Sequence, residues 1–365
     1  MERLLFIAEA GVNHDGDIET ALALVDAAAR SGADIVKFQT FRSAQVATPA
    51  AAQAKYQTEN IGRVETQRAM LSRLELSPEM HVAIAACCRE NGIEFLSTAF
   101  DPALLRYLVN DLKMDRVKIP SGEVTNPRLL GAAADSGLPI LLSTGMCTLA
   151  DVRDALGMLA YFGMRGGDAI GSRSDFVAAL DACAGRKWLE QRVTILHCVS
   201  EYPTALENAN LRAISTLKAG FGLPVGYSDH TIGALAPLGA VALGATIIEK
   251  HITLDPSRPG PDHKSSLPVA ELPHLIRSLR ELHAALGDGE KVPTSGELET
   301  SRIVRRGVYS SRDLPEGHIL TADDISLLRP ATKIDARDLW SVVGRALPAA
   351  VRAGVPLDLE NDGKS

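Results

Sequence analysis

Apolar runs of strand length recur along the chain, each followed by a stretch of helical periodicity. The strand candidates are Leu4–Glu9, Asp34–Gln39, Ile93–Thr98, Arg116–Pro120, Leu138–Ser143, Val193–Cys198, Pro224–Tyr227 and Thr246–Ile252. They are nearly continuous in apolar residues, as parallel strands covered on both faces are. Helical patterns are expected over 18–31, 78–91, 102–112, 128–136, from 149 onward, and over 211–218, 232–243 and 270–285. A long irregular stretch separates the second strand from its helix. Gly32, Gly92 and Gly137 follow helical patterns directly, where a left-handed cap is needed. Eight strand-plus-helix units ending near Ala285 predict an α/β fold, a (β/α)8 TIM barrel. A doubly wound open sheet is the alternative. No Gly-rich phosphate loop follows the first strand, which weighs against it.

Past the barrel the pattern changes. A polar stretch with Gly287, Gly289, Pro293 and Gly296 reads as a linker. Short apolar pieces follow, Gly307–Ser310 and Ile325–Leu328, around a Pro315-Glu316-Gly317 turn. The expected division is a barrel over 1–286, a linker over 287–304 and a small β-rich domain over 305–365. So small a domain has a thin core and suits docking on a partner surface.

Composition narrows the function classes. The 365 residues are 46% hydrophobic, enough apolar surface to argue against disorder. A formal net charge of -7 argues against nucleic acid as the main partner. No apolar run reaches the roughly 18–20 residues of a membrane span. Leu4–Ala8 is too short for a signal peptide's apolar region, so a cytoplasmic location is expected. Five cysteines without metal-type spacing suit reduced thiols, with Cys87 and Cys88 packed in a helix.

A barrel carries its chemistry at the C-terminal ends of its strands. Those ends are polar in all eight units: Glu9, Lys37 and Gln39, Ser97 and Thr98, Lys118 and Ser121, Ser143, His197 with Ser200 and Tyr202 beyond, Ser228 to His230, and Glu249 to His251. Two lysines among several hydroxyls suit an anionic, phosphorylated substrate. His230 and His251, from neighbouring strand ends, could hold one divalent metal or be two hydrogen-bonded histidines. Glu9 is an acid/base candidate or the partner of a structural ion pair with Lys37 or Lys118. His197 is a third ligand or a buried structural histidine. His14 touches substrate or only positions its loop.

At these residues the chain resembles a known family. Ile7-Ala8-Glu9-Ala10-Gly11-Val12-Asn13-His14-Asp15-Gly16 and Val36-Lys37-Phe38-Gln39-Thr40 resemble the opening of the sialic acid synthases. Further blocks of that family are Lys118–Glu123, Leu142–Met146, His197–Pro203, Gly226–Thr231, Glu249–His251 and Arg258–Asp262. The tail, from Arg305 through Arg329 to Gly354, is similar to the antifreeze-like (SAF) domain that ends these enzymes. The resemblance implies condensation of phosphoenolpyruvate with an N-acetylated mannosamine-type sugar and release of phosphate. It implies a divalent metal, Mn²⁺ or Mg²⁺, on His230 and His251, with Glu9 as acid/base. Lys37, Lys118, Ser121, Ser143, Ser200 and Ser228 match phosphoenolpyruvate positions, and Gln39, Tyr202 and Asp262 match sugar-side positions. Arg329 matches an arginine that the tail inserts into the other subunit's barrel, which implies a domain-swapped homodimer.

The chain departs from the family pattern at Ser200, where some members carry Asn, and at Ala331-Thr332-Lys333, where a Gly-x-Gly is usual. An extension over 161–190 resembles one in bacterial members, including legionaminic acid synthases. It either bears on specificity or is a surface elaboration. The product is expected to be N,N'-diacetyllegionaminate or N-acetylneuraminate, with pseudaminate as the alternative. A metal-dependent aldolase on the same barrel and a non-catalytic carbohydrate- or ice-binding protein are the competing classes.

Overall fold

The computed structural model describes residues 3–360; the last five residues of the predicted tail domain, 361–365, lie outside them. The chain divides into two compact units, Met1–Asp288 and Gly289–Ser365.

In the first unit eight parallel strands form a near-closed barrel. They are β1 (Leu5–Gly11), β2 (Ile35–Thr40), β3 (Glu94–Ala99), β4 (Val117–Ile119), β5 (Ile140–Ser143), β6 (Val193–Cys198), β7 (Val225–Asp229) and β8 (Ile247–Thr253). The ladder runs β3-β2-β1-β8-β7-β6-β5-β4, and its two ends, β3 and β4, lie beside each other. Every strand is buried almost throughout, which is why the apolar runs do not alternate. The outer helices begin at side-chain caps that stop the chain unwinding. Asp17 accepts from Thr20 N, Asp101 from Ala103 N and Leu104 N, and Asn126 from Arg128 N and Leu129 N. Proline at the first turn reinforces the helices Pro78–Glu90, Pro102–Asn110 and Pro127–Asp135. The doubly wound alternative is excluded by this strand order.

Three stretches hold more helix than the periodicity predicts. The irregular stretch after β2 contains three short helices, Ser43–Val46, Lys55–Ile61 and Gln67–Ser72. The extension over 161–190 folds into Arg173–Asp181 and Cys183–Arg192, packed against the barrel helix Leu149–Arg165. Glycines make that packing close. A Cβ on Gly157 would sit 2.7 Å from the Phe176 carbonyl oxygen, and one on Gly163 would sit 2.2 Å from the Trp188 ring. The segment read as a linker also carries a helix, Ser295–Val304, capped by Thr294.

The second unit is built on an antiparallel pair, Gly307–Ser310 and Ile325–Leu328. Its core is small: Val308, Leu314, Leu320, Val342, Leu347 and Leu357. The buried Asp324 carboxylate supports it, accepting from Arg312, His318 and Thr321. These donors hold its pKa well below the usual carboxylate range.

Candidate active site

Strand alternation aims every second residue of the barrel inward. Ion pairs and hydrogen bonds across the barrel show which ones meet. Lys37 Nζ lies 2.6 Å from Glu9 Oε2 and 3.6 Å from Glu249 Oε2. Lys118 Nζ donates to Glu249 Oε1 at 3.1 Å, and Ser228 Oγ donates to the same oxygen at 2.8 Å. Lys37 also donates to Thr98 Oγ1 at 3.3 Å, and Gln39 Nε2 to Glu9 Oε1 at 3.4 Å. Two ammonium groups and two carboxylates thus share one buried cluster contributed by β1, β2, β4 and β8.

The two carboxylates titrate in opposite directions. Burial pushes Glu9 up to about 7, against the pull of Lys37. Burial also opposes charge on Glu249, but Lys118 and Lys37 together outweigh it and hold this group well below the usual range. Glu9 is therefore poised to exchange a proton near neutrality while Glu249 stays the fixed counter-ion. Lys118 is pulled down by its burial; Lys37 is held up by Glu249 and Glu9 although burial opposes it.

The histidines stand beside this cluster. The rings of His230 and His251 are 5.5 Å apart, and Tyr202 packs on His230 at 4.2 Å and edge-on to His251 at 5.8 Å. Burial lowers the His230 pKa to about 4 and takes His251 well below its ordinary value, so both rings are neutral. His230 Nδ1 lies 2.6 Å from the Val199 carbonyl, which makes it the donor and leaves Nε2 as a lone pair. His251 Nδ1 is buried without a hydrogen-bond partner, 3.9 Å from Asp262 Oδ2. Burial raises Asp262 to about 6. Gly11, at φ +53, belongs to a register irregularity in β1 and lies against both Glu9 and the His251 ring.

A cavity of about 460 Å³ gathers these groups. Glu9, Lys37, Gln39, Lys118, Ser121, Ser143, Ser200, Tyr202, Ser228, His230, His251 and Asp262 all line it. Ser143 Oγ is buried there without a hydrogen-bond partner. Ser121 Oγ accepts from Gly145 N at 2.9 Å and faces Cys198 Sγ at 3.1 Å. A Cβ on Gly145 would sit 2.2 Å from Ser200 Oγ, so only glycine fits behind these hydroxyls. Buried polar atoms left unpaired in one cavity mark a place where a polar ligand completes the bonding.

Some candidates fall elsewhere. His197 Nε2 meets the Ala209 carbonyl at 2.9 Å and its ring stacks on Tyr227, which is the structural role. His14 Nδ1 accepts from Gly16 N at 3.0 Å, holding its loop. Arg329 belongs to the second unit, exposed just after the strand Ile325–Leu328. The 161–190 extension contributes no residue to the cavity lining.

Several lining residues were not legible beforehand. The short helices after β2 place Tyr56, Gln67 and Met70 on the cavity, and Tyr56 stacks on Tyr202 with ring centres 5.1 Å apart. Asn60 fastens these helices to the site by donating to the Pro261 carbonyl at 2.7 Å. A stacked Tyr–Tyr pair of this kind leaves no local sequence signal.

The chain matches known proteins along nearly its whole length. The N,N'-diacetyllegionaminic acid synthase of Legionella pneumophila is 42% identical over 352 residues, 96% of this chain and 92% of that protein. The enzyme of the same name from Campylobacter jejuni is 39% identical over 345 residues, 94% of this chain and 96% of that one. The crystal structure of an N-acetylneuraminic acid synthetase from Leptospira borgpetersenii superposes with a TM-score of 0.66 at 31% identity, covering 82% of this chain and 90% of that one. A SAF domain model matches residues 305–361. The NeuB family model matches residues 24–291, through seven of the eight barrel strands and the cavity they enclose, and the chain belongs to the NeuB family.

Proposed function

We propose that this chain is a nonulosonic acid synthase. It condenses phosphoenolpyruvate with the open-chain form of an N-acetylated mannosamine-type sugar and releases phosphate. The carrying observation is the pair of buried lysines, Lys37 and Lys118, set among Ser121, Ser143 and Ser228 in the barrel cavity. Two cations and several hydroxyl donors inside a net-acidic protein form a local site for a phosphorylated carboxylate. The relatives' names put N,N'-diacetyllegionaminate first among products, N-acetylneuraminate next and pseudaminate third.

In this reading the lysines and serines orient phosphoenolpyruvate so that its C3 faces the sugar aldehyde. As the bond forms, the aldehyde oxygen takes a proton from Glu9 and becomes a hydroxyl, C2 is left electron-poor, and water adds to C2. Glu9, now a carboxylate, takes the proton that this water loses, a task its raised pKa suits. The bond from C2 to the phosphate oxygen then breaks, the C2 hydroxyl becomes the keto group as its proton leaves with the phosphate, and Lys37 and Lys118 hold the phosphate as its charge develops. Glu249 keeps both lysines charged and in place throughout.

His230 and His251 fit a divalent metal held by two protein ligands with open positions. Both imidazoles are neutral, and His251 Nδ1 is buried without a hydrogen-bond partner. Among the described residues, no group of three or more His, Cys, Asp or Glu has metal-site geometry. Imidazole donors favour Mn²⁺ over Mg²⁺. When bound, the ion would supply Lewis-acid polarisation of the sugar's aldehyde. Phosphate release from phosphoenolpyruvate, measured with 2-acetamido and 2,4-diacetamido sugars, tests the reading. Turnover is expected to disappear on thorough chelation and to return with Mn²⁺. Unchanged turnover in EDTA would remove the metal from His230 and His251 while leaving the condensation standing.

The same reading includes a domain-swapped homodimer. The loops and helix starts after β5, β6 and β7 carry exposed Met146, Leu149, Leu206, Ile232 and Leu235, and the second unit exposes Trp340 and Ile319. Apolar side chains gathered at a catalytic face suit a covering partner. Arg329 of the partner subunit would then reach the sugar's N-acetyl group. An Arg329→Ala chain and a Glu9→Ala chain, each inactive alone, are expected to regain part of the activity when mixed. Heterodimers that form yet stay inactive would rule out the shared site.

A further inference from the structure

The cavity lining holds two chemically unlike sets of residues. Beside the lysines, carboxylates and hydroxyls, Val12, Met70, Leu71, Leu74 and Phe100 contribute an apolar wall. This wall belongs to a hydrophobic cluster of its own, separate from the barrel core. The cluster therefore gives the short helices after β2 a packing surface and gives the cavity an apolar side.

The helix Gln67–Ser72 builds much of that wall. Thr66 caps it by accepting from Ala69 N, and Gln67 N donates to the Ala51 carbonyl at 2.9 Å, which fixes where the helix starts. Gln67, Met70 and Leu71 stand at i, i+3 and i+4, one face of a helix, and all three line the cavity. Gln57, the other glutamine there, is occupied: its Oε1 accepts from Ala54 N at 3.0 Å and its Nε2 donates to Tyr56 OH at 3.3 Å. The half-buried Gln67 side-chain amide has no hydrogen-bond partner among the described residues. The face thus offers one open amide beside two apolar side chains.

That combination fits an acetamido group and fits a sugar hydroxyl poorly. An acetamido substituent has one N–H and one C=O, which a primary amide can satisfy, and a methyl that needs an apolar neighbour. A hydroxyl could bond to Gln67 but has no methyl to cover Met70 and Leu71, so that apolar surface would stay unfilled. We propose that Gln67, backed by Met70 and Leu71, reads a second acetamido group on the acceptor sugar and makes a 2,4-diacetamido sugar the preferred substrate over N-acetylmannosamine. The inference rests on the synthase reading above, in which the first acetamido group is met by Arg329 of the partner subunit. Gln67 is a specificity-determining residue; the reacting atoms lie with Glu9 and the lysines.

The test is steady-state phosphate release by the full-length enzyme with both sugars, for wild type and for Gln67→Leu and Leu71→Ala. Wild type is expected to favour the diacetamido sugar in kcat/KM. Gln67→Leu keeps the side chain's size and removes its amide. It should lower kcat/KM for the diacetamido sugar about 10-fold or more, mainly through KM, and by a several-fold smaller factor for N-acetylmannosamine. Leu71→Ala should act in the same direction through the lost methyl contact. Thermal melting reports that each variant is folded. Equal losses with both sugars in Gln67→Leu would overturn the inference and leave the synthase reading intact, as would a wild type that prefers N-acetylmannosamine. A wild type that releases phosphate with neither sugar removes the synthase reading, and the inference falls with it.

Discussion

Lys118→Met is expected to lower kcat/KM for phosphoenolpyruvate by about 10²–10³-fold, the scale of removing one preorganised donor from a buried charge-stabilising site. The cause lies in the balance of the cluster. Lys118 and Lys37 face Glu9 and Glu249, so the arriving phosphate and carboxylate meet two cations already held in place. Without Lys118, Glu249 keeps Ser228 at 2.8 Å and only the more distant Lys37 at 3.6 Å. Lys37 is then drawn between two carboxylates, and the anionic substrate enters a region with one cation instead of two. Lys118→Arg should restore little, because a planar guanidinium does not fit the place of a compact ammonium 3.1 Å from Glu249. The measurement is phosphate release at saturating sugar, with thermal melting to confirm that the variant is folded. A loss smaller than about 10-fold would mean that Lys118 is structural and that the substrate's charge is carried elsewhere.

The cluster also indicates how far sequence reasoning reaches. Glu9, Lys37, Lys118, Ser143, Ser228 and Glu249 could be placed at strand ends because continuous apolar runs end where they stand. Barrel geometry then puts all strand ends on one face. Their pairing was not legible in that way. Glu249 is on β8 and Lys118 on β4, which do not hydrogen-bond to each other, so only closure of the barrel brings them to 3.1 Å. Tyr56 and Gln67 were missed for a different reason. Their helices have seven and six residues, too short for a 3.6-residue period to rise above an irregular pattern. The helix Arg173–Asp181 did have a readable signal, since Ser172 and Asp175 form a capping box at its start. The roles of His14 and His197 needed coordinates, because a histidine that holds a backbone group and one that faces a cavity look alike in sequence.

The largest expected loss of stability comes from Lys250, which stands between Glu249 and His251 but points to the other side of β8. Its ammonium pairs with Asp229 and donates to the Thr231 carbonyl at 2.7 Å, and both side chains are buried. Asp229 also accepts from Tyr227 OH at 3.0 Å and from Thr231 N at 2.9 Å. This pair ties β7 to β8 immediately behind His230 and His251. Lys250→Met leaves a buried carboxylate without its cation and should destabilise the barrel by about 3–5 kcal/mol. Asp229→Asn in the same chain removes the orphaned charge and is expected to return a large part of that loss, although Asp229→Asn alone is destabilising. Such non-additivity identifies a coupled pair, whereas two independent losses would simply sum. The barrel transition should be followed separately in calorimetry or urea, because the chain has two compact units and need not unfold in one step. A single Lys250→Met loss below about 1 kcal/mol, or strict additivity in the double variant, would show that the strands bearing the two histidines are held by backbone pairing and packing alone.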